Sequence, residues 1–377
     1  MTAKAPTARR RLLTELAERR SVVLDRIVTR ARSEIPAYVR LDPAEVRPLT
    51  GQMVEALLDA FVAERGPSDE ELRGFREFGV VRGRQGVSLT ELLAAWRIGL
   101  REILDEITEI GRSHKYPDRV QLELTRQLLD IVDTATSEFS NGHREVELEN
   151  ARHDHQARAD FTRAVLSGTA GRAELAVRAQ HYGIETDHHY LPFRIRPTLA
   201  YPLDELARLL VRPDRTGFTT TVDGDLAGFT DLLPEKPPVA VGFAAAAPID
   251  QLSAGFVRAT RALNTMVAFG HTGAQDLDAL GLLPAVLADA EIGDNLVRRY
   301  LDPLRRTDSP DLYLDTLRRY LDNGQHIEST ARDLIVHPNT VRYRIDRFRA
   351  LTGADLRKPA VALELWWALR RRQISSC

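Results

Sequence analysis

The sequence predicts a mainly α protein with a central α/β domain, and three observations carry that expectation. Apolar residues recur at helical spacing through residues 1–150, amid many charges. Between residues 151 and 300, short β-rich runs closed by turn residues alternate with helical patterns, as in a compact domain with one sheet. Residues 301–377 return to helix and include two short helices joined by a tight turn. These three stretches are the expected domains: helical and regulatory, α/β, and helix-turn-helix.

In the first stretch, Leu12, Leu16, Val23 and Ile27 place one helix over residues 8–32, and Pro36, Pro43 and Pro48 then punctuate the chain. A second helix carrying Met53, Leu57, Leu58 and Phe61 stops at Gly66-Pro67. Ser88 stands three residues before Glu91, the spacing of a capping box, and opens a buried helix with Leu92, Leu93, Trp96, Ile98 and Leu100. Gly111 and Pro117 close that region. Over residues 118–167 only Gly142 disfavours helix; the first half carries Leu122, Leu128, Ile131, Val132, Ala135 and Phe139. The second half, 143–160, is polar, as in a solvated connecting helix or a coiled-coil seam.

In the middle, residues 190–195, 217–222 and 239–243 are strand candidates, and Asp223-Gly224 is a hairpin turn signal. Helical patterns occupy 203–211 and 252–269. The last stretch predicts helices over 311–321, 327–334, 337–351 and 359–372.

Composition narrows the function. With 52 basic and 54 acidic residues the net charge is −2, which excludes a uniformly basic nucleic-acid coat but not a local patch. The single cysteine, Cys377, allows neither an internal disulfide nor a thiolate zinc site. No run approaches the roughly 20 apolar residues of a membrane span, so a cytoplasmic protein is expected. His153 and His155, and the adjacent His188 and His189, diverge too far to share a metal. His114 and His143 lie beside Lys115 and Arg144 rather than on an apolar face, so neither fits a haem ligand. No P-loop or nucleophile elbow is present, Trp96 is expected in the core rather than in a ligand pocket, and no cofactor is expected.

The chemistry concentrates in residues 327–351. Ile327, Ala331 and Leu334 form the inward stripe of the first short helix, and Val341, Ile345, Phe348 and Leu351 that of the second. At 100° per residue the opposite face of the second helix shows Asn339, Tyr343 and Arg347, flanked by Thr340, Arg342 and Arg344, with His337 at its start. Amide, hydroxyl and guanidinium groups are those that read base edges and hold phosphates in a major groove. Pro338 fits the first helical position. Residues 342–372 hold nine basic and three acidic side chains. That charge alone would suit an arginine-rich solvated face; joined to the helix-turn-helix spacing it points to double-stranded DNA.

The run from Thr330 to Ile345 (TARDLIVHPNTVRYRI), followed by Leu351-Thr352-Gly353-Ala354-Asp355-Leu356, closely resembles the C-terminal helix-turn-helix of PucR/CdaR-type bacterial transcriptional regulators. Pro338 departs from that pattern, where arginine is commoner, and so removes one phosphate contact. Trp366-Trp367 replace smaller aliphatics and are expected to pack in the core and toward a dimer partner. The middle stretch resembles the degenerate GGDEF-like domain of the same family, through Val241-Gly242-Phe243, residues 259–263 and Leu280-Gly281-Leu282-Leu283-Pro284. Its hairpin, Val222-Asp223-Gly224-Asp225-Leu226, lacks the second glycine and the Glu-Phe pair a cyclase needs, so Asp223 and Asp225 are expected merely to frame a turn. Residues 84–99 are similar to the helical front domain of RsbR-type stress proteins. The resemblance implies a non-enzymatic, one-component transcriptional regulator, a homodimer with a small-molecule effector; a signalling scaffold of the RsbR-like type is the alternative.

Overall fold

The structure, a computed structural model, describes residues 5–210 and 217–375. Cys377, and the end of the helix expected over 203–211, lie outside the described residues. The chain divides into two compact units, Met1–His155 and Gln156–Cys377. Among the described residues it is mainly α, with one small sheet in the middle.

The first unit contains α1 (Ala5–Glu18), α2 (Arg20–Glu34), α3 (Pro36–Arg40), α4 (Pro43–Val62), α5 (Asp69–Arg84), α6 (Leu89–Ser113) and the residues to His155 of α7 (Asp118–Ser167). The single helix expected over 8–32 is two helices, divided at Arg19. There the guanidinium pairs with Glu15 on one side and, at 2.9 Å, with Glu106 of α6 on the other. Pro36 and Pro43 do not interrupt helix but begin it, at the position where a missing N–H costs nothing, and Pro48 lies within α4. Both Ser88–Glu91 and Ser68–Glu71 form complete capping boxes.

Glycine has a specific task where α5 meets α7. A Cβ on Gly79 would stand 1.9 Å from the Phe139 carbonyl oxygen, and one on Gly142 2.1 Å from that of Arg76. Gly142, which the sequence marks only as a weak point, is therefore where two helix backbones touch. The next turn, expected to be solvated, buries His143 and Val146; His143 Nε2 lies 2.7 Å from the Val87 carbonyl oxygen. His143 thus sits on a buried face, against the sequence expectation, and the exposed polar stretch begins only beyond Val146.

The second unit contains α8 (Arg172–His181), β1 (Leu191–Ile195), α9 (Leu203–Leu210), β2 (Gly217–Val222), β3 (Asp225–Thr230), β4 (Ala240–Phe243), α10 (Leu252–Ala268) and β5 (Gly273–Gln275). The sheet order is β2-β3-β1-β4-β5, antiparallel except for the β4–β5 pair. Asp223 (φ 50°) and Gly224 (φ 82°) form the β2–β3 turn, both left-handed as a type I′ turn demands. α10 lies on β1 and β4, so close that a Cβ on Gly242 would meet the Ala259 carbonyl at 2.2 Å.

Asp225 is more than a turn residue. It is buried, and its carboxylate accepts from Arg194 Nε and Arg196 Nε, both at 2.8 Å. A buried carboxylate without such partners would pay a heavy desolvation cost, so here the two arginines fix the hairpin to β1.

The chain continues through α11 (Leu283–Ala288), α12 (Ala290–Tyr300), a 3₁₀ segment (Asp302–Arg306), α13 (Pro310–Asp322), α14 (Ile327–Leu334), α15 (Pro338–Thr352) and α16 (Pro359–Ser375). Tyr300, Leu304, Leu317, Phe348, Leu365 and Leu369 share one core here. Trp366 and Trp367 are half-buried, with Arg370 stacked over the Trp366 ring.

Candidate nucleic-acid interface

α14 and α15 are linked by a turn whose hydrogen bonds are local. Ile335 ends α14 in the left-handed region (φ 55°, ψ 46°), and the Val336 amide donates back to the Ala331 carbonyl at 3.0 Å. A β-branched residue with positive φ is strained. Ile335 is moreover 93% exposed, so packing does not offset that strain. α15 then begins on His337, whose Nδ1 accepts from the Asn339 amide at 3.2 Å, with Pro338 at the first helical position. At its far end Gly353 adopts φ 69° and caps the helix.

One side of α15 is spent on packing. Val341 and Phe348 are fully buried, with Ile345 and Leu351 half-buried beside them, against a partner helix that buries Thr330 and Ala331. The small Ala331 side chain lets the two helices approach closely.

The other side is open. Asn339, Tyr343 and Arg347 succeed one another at i, i+4 and i+8 and are all exposed, Tyr343 by 63%. Thr340 is half-buried at their margin. Arg342 is exposed and bridges Asn339 Oδ1 at 3.1 Å and Glu328 Oε1 at 3.5 Å. Burial, with the neighbouring Tyr343 hydroxyl adding to it, pushes the Tyr313 phenol up, which places the α13 aromatic against this face.

Arg344 is set apart from the other predicted residues. It is half-buried and donates through Nη1 to the buried Thr316 hydroxyl at 2.9 Å, tying α15 to α13. Helical angle alone puts Arg344 near the open face; the neighbouring helix turns it inward. Sequence reasoning missed Thr316 altogether, since a hydroxyl mid-helix gives no signal of its partner.

Not all of the basic residues in this stretch are free cations. Arg357 is paired with Asp355 at 2.7 Å and holds that carboxyl well below its usual range. Arg371 pairs with Asp294 at 2.8 Å, while Arg370 lies 3.6 Å from Asp322. Among the described residues Arg347 and Arg349 enter no ion pair, so the uncompensated positive charge lies on α15 itself. No group of three or more His, Cys, Asp or Glu converges on a metal position among the described residues, and none of their helices is long and apolar enough to cross a membrane.

Comparison with known proteins agrees with this placement. Residues 313–371 match the PucR C-terminal helix-turn-helix domain, and residues 21–158 match the RsbT co-antagonist protein rsbRD N-terminal domain. An uncharacterised protein of Mycobacterium tuberculosis is 39% identical over 145 residues, covering 37% of this chain and 32% of its own. The purine catabolism regulatory protein of Bacillus subtilis is 40% identical over 63 residues, covering 17% of this chain and 12% of that protein. The aligned part is thus about a third of the length of the first of these relatives. A regulator of polyketide synthase expression from Bifidobacterium adolescentis superposes with a TM-score of 0.28 at 20% identity, over 58% of this chain and 98% of that one. At that score the superposition carries no argument about the fold.

Proposed function

The chain is a PucR-type regulator in its C-terminal domain and RsbRD-type at its front, and from that premise we propose that it is a one-component, DNA-binding transcriptional regulator. The reading divides the work among three parts: a sensing helical front over residues 1–150, a non-catalytic α/β part over 151–300, and a DNA-reading part over 301–377. One observation carries it. α15 leaves Asn339, Tyr343 and Arg347 exposed on one face while Val341 and Phe348 on the other are buried, as a helix lying in a major groove requires.

In this reading Asn339 and Arg347 contact base edges, the amide suited to adenine and the guanidinium to guanine. Thr340 and Tyr343 flank them. Arg342 and His337, at the start of the helix, hold phosphate. Arg344 acts through Thr316, positioning the reading helix rather than touching bases. One such helix buries little surface, so two copies reading a near-palindromic site are expected, with half-sites about 34 Å apart. The exposed polar stretch of α7 and the half-buried Trp366–Trp367 edge of α16 are the surfaces offered for that pairing. Asp225, with both oxygens engaged by arginines, has little to give a metal, which favours a non-enzymatic middle part. A cytoplasmic location and a small-molecule effector belong to the same reading.

The front-domain match favours a second reading, a scaffold acting through protein contacts. A gel shift with DNA from upstream of the chain's own coding region separates the two. Retarded, sequence-selective complexes that vanish when residues 301–377 are removed support the regulator. Equal retention of unrelated DNA, or none, supports the scaffold.

A further inference from the structure

Arg82 of α5 is the polar side chain hardest to account for. It is fully buried (0% exposed), yet no carboxylate lies at ion-pair distance from it among the described residues. Nη1 donates to Gln85 Oε1 at 2.8 Å, and Gln85 in turn donates to Glu45 at 2.9 Å. Nη2 has only two long contacts, the Val46 carbonyl and the Thr50 hydroxyl, both at 3.4 Å. Nε has no acceptor. The guanidinium carbon sits 5.1 Å from the Tyr38 ring centre and 5.2 Å from that of Phe78. Burial, offset only partly by Tyr38, pushes its pKa down. A cation taken out of water without a counter-ion is costly, and folds rarely retain one without use.

That use lies next to it. Tyr38, Val46, Thr50 and Phe78 are also wall residues of an apolar cavity of about 40 Å³, closed elsewhere by residues such as Trp96 and Gly99. Trp96, expected in the core, does pack edge-on against Phe139 at 5.2 Å, but it also faces this space. Its indole N–H is buried without an acceptor. At about 10–15 Å³ per water position, the cavity holds roughly three non-hydrogen atoms. Water there would meet mostly carbon.

We propose that this cavity binds a short-chain monocarboxylate, its tail of about three carbons among the apolar walls and its carboxylate on Arg82. The two 3.4 Å contacts of Nη2 are the ones the carboxylate replaces, and the Thr50 hydroxyl donates to its second oxygen. The site lies wholly within the first unit and stands apart from the DNA-reading proposal.

The test uses the full chain, titrated with sodium butyrate and, in parallel, with butyramide, 1-butanol and sodium octanoate. Calorimetry and tryptophan emission report binding. Butyrate is expected to bind saturably and about tenfold or more tightly than butyramide, the margin of a charge-assisted pair over a neutral one. Arg82→Met should abolish that margin. Gly99→Ala narrows the cavity, since its Cβ would point at Ile27 from 3.8 Å, and should weaken every ligand while leaving the charge preference intact. Because it leaves Arg82 in place, Gly99→Ala keeps the test decisive even if Arg82→Met fails to fold. Absence of saturable binding, equal affinity for butyrate and butyramide, tighter binding of octanoate, or undiminished binding by Gly99→Ala would each overturn the proposal.

Discussion

The first unit and α15 treat polar side chains in opposite ways. In the first unit, Glu102, Glu106, Arg82 and His143 are drawn inside and engaged there. Glu106 receives Arg19 at 2.9 Å and also Arg26, while Glu102 receives Arg30 at 2.7 Å. These ions fasten α1 and α2 to α6. On α15 the polar groups stand outside, and the buried stripe beneath them is wholly apolar. The difference teaches that charge count says little about use: one region spends its arginines on its own architecture, the other keeps Arg347 and Arg349 free for something outside.

Four substitutions probe that contrast. The largest effect is expected from Phe348→Ala, which empties the core shared by Tyr300, Leu317 and Leu365 and should cost about 3–5 kcal/mol in denaturant unfolding. DNA binding should fall with it, because the open face has no other support. Next comes Glu106→Gln, expected to cost about 2 kcal/mol at neutral pH. That is less than a fully buried pair, since Arg19 and Arg26 remain partly in water. Burial works to raise the Glu106 carboxyl, but hydrogen bonds from Arg26 and Arg19 outweigh it and hold the group below its usual value. Its stabilisation is therefore present above the unfolded value, about pH 4.3, and lost as pH falls through the lower folded value. Urea midpoints measured from pH 7 down to pH 3 should show a smaller acid decline in the variant than in the native chain.

Asn339→Ala sharpens the comparison from the other side. It should cost about 1–3 kcal/mol of operator affinity with an unchanged melting temperature. Unchanged affinity in fluorescence anisotropy would remove Asn339 from the reading face. The smallest effect is expected at the turn: Ile335→Gly relieves the positive φ and should raise stability by about 1 kcal/mol, visible as a later urea midpoint. A loss instead would mean that the exposed isoleucine is packed in solution.

Much of this organisation could be read from the sequence, and the reasons for success and failure are physical. The stripe Val341–Ile345–Phe348 and the capping residues Ser88 and Glu91 are local patterns, fixed by the geometry of a single helix. Asp223-Gly224 carries its own backbone preference. β3 escaped notice because all six of its residues are buried, which erases the alternation that marks a half-exposed strand. β5, at three residues, is too short to show a period. Arg344, Arg82, His143 and Asp225 went astray for one shared reason: their settings depend on a neighbour distant in sequence. Thr316 lies 28 positions from Arg344, and Arg194 lies 31 from Asp225. Periodicity gives the direction in which a side chain leaves its helix, not what stands there.

The α5–α7 crossing bears on which sequences this fold can explore. Gly74 and Gly79 lie one and a half turns apart on the same helix and suffer the same deficit in helix propensity. At Gly74 nothing lies within 4 Å of a would-be Cβ, so alanine should add about 0.5–1 kcal/mol. At Gly79, and across from it at Gly142, the same single methyl would push one backbone off another. A library selected for heat resistance should therefore fill the first site readily and return the other two as glycine, unless both helices shift together.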